Sequence, residues 1–229
     1  MRDNLRLSPR LARAASMIRH GAVVADIGTD HAYLPILLCL DGKATSAVAS
    51  DINTGPIERA RKNIKEFGLE QKISVVQTDG LNGIEEYSPN EILILGMGGE
   101  LIARILADAP WTKQQNIHLC LQPMTHPEAL RKFLSENGYS IIDEDIVLDD
   151  KIYQIIYAGF TGETYTLSPM ELYFGKINIA RRNDGFLKLA EQQLKILKKR
   201  ADGKQSAGES FDEERDMIAE ISKHIGETL

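Results

Sequence analysis

Three acidic segments of the 229-residue chain have a spacing that can bind a cationic nucleoside-like ligand. The first segment, residues 25–31, reads Ala-Asp-Ile-Gly-Thr-Asp-His and is expected to turn at Gly28. The second contains Asp51, 23 residues after that glycine, and the third contains Asp79. A carboxylate at the position of Asp51 can accept hydrogen bonds from both ribose hydroxyls, and one at Asp79 can accept from an exocyclic amine of adenine. Taken singly, Asp51 could equally be a loop or helix N-terminal charge, and Asp79 a turn residue.

The first loop excludes the usual dinucleotide site. A pyrophosphate needs the G-x-G-x-x-G pattern, so that the backbone and a helix N-terminus can approach it. This loop has only Gly28, flanked by the carboxylates of Asp26 and Asp30. S-adenosylmethionine carries an ammonium and a sulfonium group and no phosphate, so the segments together favour S-adenosylmethionine over NAD.

The elements that position these residues alternate along the chain. Short apolar runs indicate strands, and stretches with a helical period lie between them. Strands are predicted at residues 22–26, 44–51, 73–77, 91–95, 117–122, 139–148 and 151–160. This order predicts an α/β fold with a seven-stranded, mostly parallel, doubly wound sheet that ends in an antiparallel edge hairpin.

The acidic segments end three consecutive strands, so they are expected to share the carboxyl edge of the sheet, where open α/β sheets bind ligands. The fourth strand runs into Gly-Met-Gly-Gly at residues 96–99. The Asn/Asp-Pro-Pro-aromatic motif of amino-directed DNA and RNA methyltransferases is missing there. The glycines predict an open floor for the acceptor, with Met97 against an adenine face, or a turn needed only for packing.

Basic charge is concentrated at two places, although the net charge of the chain is −6. Residues 1–20 contain five Arg and one Asp, and residues 176–200 contain eight basic and two acidic residues. Residues 5–18 are predicted to form a helix, and the tail two helices joined by a Gly/Ser break at 203–208. Each basic segment is either a solvated helix face or a surface for phosphate groups. The predicted domains are residues 1–162, with 1–20 as a basic helix, and residues 163–229.

The remaining composition is that of an ordinary globular protein, with 43% hydrophobic and 26% charged residues. Cys39 and Cys120 lie among apolar neighbours and are expected to be reduced core thiols, so no metal site is predicted. The start of the chain lacks a signal-peptide pattern and no apolar run approaches the roughly 20 residues of a membrane span. A cytoplasmic protein without a membrane partner is therefore expected.

Three stretches together resemble one enzyme family. Ala-Asp-Ile-Gly-Thr-Asp-His-Ala-Tyr-Leu-Pro at residues 25–35, the glycines at 96–99 and Leu-Gln-Pro at 121–123 are similar to the bacterial tRNA (adenine-22-N1)-methyltransferases, the TrmK family. The resemblance covers nearly the whole chain. It implies a class I Rossmann-like methyltransferase fold with a small C-terminal helical hairpin domain. It also implies methyl transfer from S-adenosylmethionine to N1 of adenine 22 in tRNA, with S-adenosylhomocysteine as product.

The chain departs from related patterns at three places. Asp30 and Ala32 replace the second and third glycines of the commoner class I loop, as is typical of this family. Asp51 stands where the family often has Glu, which leaves a ribose contact possible. Met124 stands where Asn is expected in many relatives, so no hydrogen bond from position 124 to the acceptor base is predicted.

Asp30 is the candidate catalytic residue, because a carboxylate near the acceptor could stabilise the adenine cation or take a proton from its amine. The alternative is that Asp30 caps the following helix. The expected cofactor-binding residues are Asp26, Gly28, Asp30, His31, Tyr33, Asp51, Ile52, Asp79, Gly80, Gly96, Met97 and Gly98. The expected substrate-binding residues, with the basic ones taken as phosphate contacts on outer faces, are Arg6, Arg10, Arg13, Gly98, Gly99, Gln122, Pro123, Lys195, Lys198, Lys199 and Arg200.

Two other functions remain open from the residues alone, and a third lacks its motif. The same chemistry could serve a small-molecule or protein acceptor, although two basic segments favour RNA. The chain could also be a non-catalytic S-adenosylmethionine- or RNA-binding module, against which the intact acidic residues count. A hydride-transfer enzyme would require the phosphate loop that is missing. The oligomeric state is left open.

Overall fold

The computed structural model describes residues 6–226. Within them, seven strands form one sheet in the order β3-β2-β1-β4-β5-β7-β6. The strands are β1 (Ala22–Ile27), β2 (Ala44–Asp51), β3 (Ile73–Gln77), β4 (Glu91–Gly98), β5 (His118–Thr125), β6 (Tyr139–Leu148) and β7 (Ile152–Phe160).

The first five strands are parallel, and β7 is antiparallel to both β5 and β6. The prediction of a mostly parallel seven-stranded sheet with an antiparallel edge hairpin is therefore confirmed. The strand order reverses between β1 and β4, which makes the carboxyl ends of these two strands the topological switch point where ligands bind.

Helices cover both faces of the sheet and continue into the tail. The α-helices are α1 (Pro9–Met17), α2 (Tyr33–Leu40), α3 (Thr54–Glu66), α4 (Gly99–Ala107), α5 (Pro127–Glu136), α6 (Pro169–Phe174), α7 (Lys176–Arg181), α8 (Asp184–Ala207) and α9 (Asp212–Ile225). The predicted start of the first helix at residue 5 lies outside the described residues, and so do residues 227–229 of the predicted second domain.

Two apolar cores fix the sheet between its helices. Ala14 of α1, Ile36 of α2 and Ile64 of α3 are buried against one face. Ile102 of α4 and Leu130 of α5 are buried against the other. Because both faces are covered, the central strands are mostly apolar, as is typical of a parallel sheet.

A third core joins the tail to the end of the β6–β7 hairpin. Ile146 of β6 is buried with Phe174 of α6, Phe186 and Leu194 of α8, and Ile221 of α9. The division at residues 162/163 stays a prediction, because this core contains residues from both sides of it.

The tail helices differ from the prediction at two places. The helical stripe expected from residue 180 onward is interrupted, because Arg182 adopts a left-handed conformation and the side chain of Asn183 caps α8. The predicted break at residues 203–208 is wrong for all but its last residue, since α8 continues through Gly203 to Ala207 and is followed by Gly208 as its C-cap. A single helical glycine costs only about 1 kcal/mol, which the packing of α8 can offset.

A fully buried ion pair links α5, β6 and the tail. Arg131 donates to Glu144 Oε2 at 2.9 and 3.0 Å, and Glu144 Oε1 accepts from the backbone N–H of Ile177 at 2.9 Å. Arg131 also donates to the backbone oxygens of residues 172, 173 and 174 at the end of α6. Both charged groups therefore have hydrogen-bond partners that stabilise their burial.

A second set of charges connects the first helix to the same strand. Arg13 donates to Asp145 Oδ2 at 2.7 Å and to Asp143 Oδ2 at 3.2 Å. Asp143 also pairs with Arg181 of α7 at 2.7 Å, and Asp145 accepts from Asn183 at 3.0 Å. Strand β6 is thus the common contact of α1 and the tail.

Cys39 and Cys120 are buried free thiols, as predicted. Among residues 6–226 no helix is long and apolar enough to cross a bilayer.

We expect Arg131→Met to lower the free energy of unfolding by about 3–5 kcal/mol, because the buried Glu144 carboxylate would lose its counter-charge. Urea unfolding followed by circular dichroism measures the change. The control is Lys132→Met, since Lys132 is exposed and makes only a 3.9 Å pair with Glu136; it should change stability by about 0.5 kcal/mol at most.

The double variant Arg131→Met/Glu144→Met should recover part of the loss, because it buries no unpaired charge. If Arg131→Met alone cost no more than its Lys132 control, the junction would not stabilise the fold.

Candidate active site

The strand register brings the predicted residues to one level of the sheet. Ile27, the last residue of β1, pairs with Ser50 of β2 and with Ile94 of β4. One position further along, Asp51 pairs with Gln77 and Leu95 pairs with Gln122. The ends of five parallel strands therefore form a continuous row above which a ligand can lie.

Asp26 is the buried carboxylate of this row. Its side chain lies one residue before the end of β1, is only 8% exposed and is bonded to the Thr29 side chain. Burial raises the pKa of Asp26 to about 6, and the Thr29 hydrogen bond opposes that shift. A desolvated carboxylate without a cationic partner is disposed to bind a cation.

The loop after β1 is held by backbone contacts. The N–H groups of Gly28 and Thr29 both donate to the carbonyl of Ser50 at 2.8 Å. Gly28 has φ +76°, and a Cβ there would overlap the terminal methyl of Met97. The positive φ favours glycine at this position, whereas the Met97 methyl ends a flexible side chain and can move aside.

The helix α2 begins without a side-chain cap at its N-cap residue, Ala32, and in the loop before it the Thr29 hydroxyl accepts from the Ala32 N–H at 3.1 Å. Asp30 does not cap this helix, so the capping alternative for Asp30 is wrong. Its carboxylate is 63% exposed and forms an ion pair with Arg59 and a 3.2 Å contact with His31 Nε2. The His31 ring is stacked on Tyr33 at 5.1 Å.

The other two carboxylates lie beside the cleft rather than in it. Asp51 Oδ1 accepts from the backbone and side-chain nitrogens of Asn53 at 2.7 and 3.0 Å, which fixes the carboxylate orientation. Ile52 is 57% exposed next to it. Asp79 and Gly80 line a neighbouring depression of about 320 Å³.

The glycine segment at residues 96–99, at the end of β4, contains both a buried glycine and accessible ones. Gly99 is buried, and a Cβ there would overlap the carbonyl oxygen of His126, so this glycine is required for the close approach of the start of α4 to the backbone that joins β5 to α5. Gly96 and Gly98 are partly open, and Met97 packs against the core formed by α4 and α5. The adenine contact of Met97 stays a prediction.

Arg10 enters the same cleft from α1. Its Nη1 donates to Gln122 Oε1 at 2.6 Å, and its guanidinium lies over the Tyr153 ring, 5.1 Å from the centroid. Gln122 is fully buried, and its amide nitrogen donates to the Pro123 carbonyl at 3.0 Å and to Met124 Sδ at 3.4 Å. Gln122 therefore positions the Arg10 guanidinium. Met124 accepts a hydrogen bond from Gln122 through its sulfur atom, whereas an Asn at this position is expected to contact the acceptor base.

The cleft has a volume of about 290 Å³. Its lining residues come from α1, the loop after β1, the start of α2 and the end of β4. They are Arg10, Leu11, Asp26, Gly28, Thr29, Asp30, His31, Ala32, Tyr33, Leu34, Leu95 and Gly96. In the part of the chain that the structure describes, no group of three or more His, Cys, Asp or Glu could hold a metal ion.

The predicted outer arginine face of α1 is wrong for two of its three members. Arg13 is bound to Asp143 and Asp145, and Arg10 points into the cleft. The helical periodicity of α1 could not show these contacts, because the partners of Arg10 and Arg13 lie on β5, β6 and β7. Arg6 is exposed and precedes α1.

The basic residues of α8 are exposed, as expected for a charged helix face. Arg200, however, lies in a groove with Glu213, Asp216 and Glu220 of α9. Its phosphate contact stays a prediction, in common with those of Lys195, Lys198 and Lys199.

Sequence reasoning missed three residues that shape the site. Arg59 had no local signal, because a lone arginine on a helix resembles a solvated charge. Tyr153 lies in an edge-hairpin strand far from the glycine motifs. Thr29 could have been found, since threonine hydroxyls commonly accept hydrogen bonds from backbone N–H groups of nearby residues in loops.

We expect Asp26→Asn to stabilise the ligand-free protein at pH 7.5, by up to about 3 kcal/mol. The folded-state pKa of about 6 lies above the ordinary value of 3.8. The ionised carboxylate therefore destabilises the folded state, and this penalty develops between pH 4 and 6 and is complete above them. Denaturant unfolding at pH 4, 6 and 7.5 measures the difference in the free energy of unfolding between the variant and the wild type. This difference should vanish at pH 4.

The same variant tests the predicted cofactor contact of Asp26. If Asp26 pairs with an ammonium group of S-adenosylmethionine, the neutral amide should bind that ligand more weakly. Asp79→Asn is the matched control: Asp79 is exposed, so this variant should leave the stability of the ligand-free protein unchanged. Equal stability of wild type and Asp26→Asn at every pH would contradict the burial argument.

Comparison with known proteins identifies the family of the chain. A family model described as a methyltransferase domain matches residues 7–156. The tRNA (adenine(22)-N(1))-methyltransferase of Bacillus subtilis is 42% identical over 157 residues, which are 68% of this chain and 66% of that protein.

Two solved structures match nearly the whole chain. The putative tRNA (m1A22) methyltransferase of Streptococcus pneumoniae, in complex with S-adenosyl-L-methionine, has a TM-score of 0.85 at 33% identity and covers 96% of this chain and 100% of its own. The Bacillus subtilis m1A22 tRNA methyltransferase TrmK has a TM-score of 0.82 at 33% identity, with 97% of each chain covered. Taken with the loop geometry, these matches mean that the chain belongs to the TrmK family of class I, S-adenosylmethionine-dependent methyltransferases.

Proposed function

We propose that this chain transfers the methyl group of S-adenosylmethionine to N1 of adenine 22 in tRNA. The observation that carries the proposal is the row of carboxylates at the ends of β1, β2 and β3, beside an open glycine segment and without a phosphate loop. Because tRNA is the substrate, we place the reaction in the bacterial cytoplasm.

The described residues fit the cofactor group by group. Asp26 is buried without a cationic partner and suits the ammonium group. Asp51 keeps one carboxylate oxygen for ribose hydroxyls, since the other is held by Asn53. Asp79 is exposed at the end of β3, within the reach expected for the adenine amine. When bound, S-adenosylmethionine supplies an electrophilic methyl group.

The protein contributes mainly position. N1 of adenine has an in-plane lone pair and no proton, so no base is required to generate the nucleophile. Residues 96–99 leave room for the acceptor beside the cleft, and in-line orientation of the reacting atoms can lower the barrier by several kcal/mol. A stacked base in folded tRNA must be extruded to reach this floor.

Asp30 is proposed to stabilise the positive charge that adenine acquires on methylation, or to accept a proton from its amine. Its exposure and its place on the cleft support this role. The ion pair with Arg59 offsets part of its negative charge, so the substrate must compete with or displace Arg59 from the carboxylate.

RNA contact is proposed for the basic face of α8 and for Arg6. Lys195 and Lys199 are exposed. Strand β6 forms one ion pair with Arg13 of α1 and another with Arg181 of α7, and the second pair connects the tail to the domain that carries the cleft. Phosphate contacts of this kind make affinity fall as salt rises.

The deciding experiment is methyl transfer from labelled S-adenosylmethionine to unmodified tRNA transcripts. We expect 1-methyladenosine at position 22 and no label in a transcript in which that adenine is replaced by guanine, whose N1 carries a proton. A salt series on the same transcript should show weaker binding at each step. Cofactor binding with no labelled tRNA would overturn the RNA assignment and leave the fold unaffected.

We expect Asp30→Ala to bind S-adenosylhomocysteine as wild type does and to lose at least about 100-fold in kcat. Arg59→Met is the control, because it removes the ion pair and keeps the carboxylate; it should retain turnover. If both variants lost activity and stability to the same extent, Asp30 would only anchor Arg59.

A further inference from the structure

The direction of α8 is set at its first turn. The Asn183 Oδ1 atom accepts from the Phe186 N–H at 2.9 Å and caps the helix, while Asn183 Nδ2 donates to Asp145 Oδ1 of β6 at 3.0 Å. One amide therefore joins the helix to the edge strand of the sheet. The other oxygen of Asp145 accepts from Arg13 at 2.7 Å, so α8 and α1 are bonded to the same carboxylate.

Two further features hold this turn in one orientation. Gly185 is buried, and a Cβ there would stand 2.2 Å from the carbonyl oxygen of Ile146, so α8 approaches the β6 backbone as closely as a glycine permits. Arg182, directly before the cap residue, has φ +48°, a left-handed conformation that is unfavourable for residues with a Cβ. Such a conformation persists only where the surrounding contacts fix it. The angle between α7 and α8 is therefore determined by contacts with β6.

The length of α8 amplifies any change at this turn. The helix has 24 residues, and the proposed phosphate contacts Lys195 and Lys199 lie well beyond its first turn. At about 1.5 Å per residue, Lys199 is about 24 Å from Asn183, so a tilt of about 10° at the first turn moves it by about 4 Å. A shift of about 1 Å in the reacting atoms can already cost about 100-fold in rate. RNA held by α8 thus reaches the cleft correctly only if the first turn is fixed.

We infer that Asn183 and Gly185 are positioning residues for the tRNA substrate. They fix the direction of α8, so that RNA bound to its basic face presents the target base to the cleft. The inference rests on the proposed function and adds the residues that set the relative position of its two contact regions. Both residues are uncharged, so replacing them with neutral residues leaves the attraction of the tail for phosphate groups unchanged.

Two neutral variants alter this turn by different means. Asn183→Ser keeps a good helix cap, because serine and asparagine cap about equally well, but its hydroxyl is too short to reach Asp145. Gly185→Ala places a Cβ against the Ile146 carbonyl and pushes the first turn away from β6, although alanine favours the helix itself. The control is Ser206→Gly, which lowers helix propensity at an exposed position near the far end of α8 and leaves the first turn intact.

Methylation of an unmodified tRNA transcript by the full chain measures the effect. We expect Asn183→Ser and Gly185→Ala each to lower kcat about 10-fold, because the reacting atoms are misaligned, and to lower kcat/KM with it. The dissociation constants of tRNA and of S-adenosylhomocysteine should change less than about 3-fold, since each contact region stays intact and only their relative position changes. Ser206→Gly should retain the wild-type kcat.

A second background separates positioning from a general loosening of the fold. In Lys195→Ala/Lys199→Ala the tail no longer directs the RNA, so adding Asn183→Ser should cause no further loss of kcat/KM. An equal loss in both backgrounds would make the role of Asn183 merely structural and overturn the inference. Wild-type methylation by both Asn183→Ser and Gly185→Ala would overturn it as well. Circular dichroism melting identifies any variant that fails to fold.

Distances between spin labels report the direction of α8 itself. Labels can be attached at Glu66→Cys of α3 and Gln205→Cys of α8, which are exposed positions, whereas the native thiols are buried. The distance distribution should shift or broaden when Asn183→Ser or Gly185→Ala is added. An unchanged distribution in both would contradict the inference.

Failure of the proposed function has a different signature. If Lys195→Ala/Lys199→Ala methylated tRNA as wild type does, the proposed RNA contact of α8 would be wrong, and this inference with it. If the wild-type protein methylated no tRNA, the proposed function itself would be overturned.

Discussion

The common level at which the parallel strands end is the constraint on which the site depends. Hydrogen-bond register sets Ile27 opposite Ser50 and Ile94, and it sets Leu95 opposite Gln122. A slip of one residue in any pair would turn the side chains at that strand end to the other face. The two apolar cores prevent such a slip, because each strand has buried residues on both faces. Packing far from the ligand therefore determines where Asp26 and Gln122 lie.

Within that frame, the cleft keeps two opposite charges apart. Asp26 is desolvated and accepts from Thr29, and Arg10 has only an amide and an aromatic ring as partners. A direct ion pair between them would stabilise the ligand-free protein and leave neither charge for a ligand.

The edge hairpin connects this cleft with the tail. Strand β7 supplies Tyr153 below Arg10, and β6 supplies the carboxylates that bind Arg13, Arg131 and Arg181. The hairpin is thus in contact with α1 at one side and with α6 to α8 at the other. A partner that binds the basic face of α8 is thereby held in a defined orientation to the cleft, because buried ion pairs tolerate little displacement.

The sequence by itself determined the periodicities and the local chemistry. The predicted bounds of strands β2, β3 and β6 match the observed ones. The acidic segments were also predicted at the carboxyl edge, because apolar patterns and strand alternation are local properties. The tertiary structure alone decided the partners of the charged residues. Arg10 and Arg13 were expected on an outer face, and their partners lie more than 100 residues away, on strands whose order no local pattern gives. The same holds for Arg59 at Asp30 and for α8 beyond Gly203, since long-range contacts override local preference.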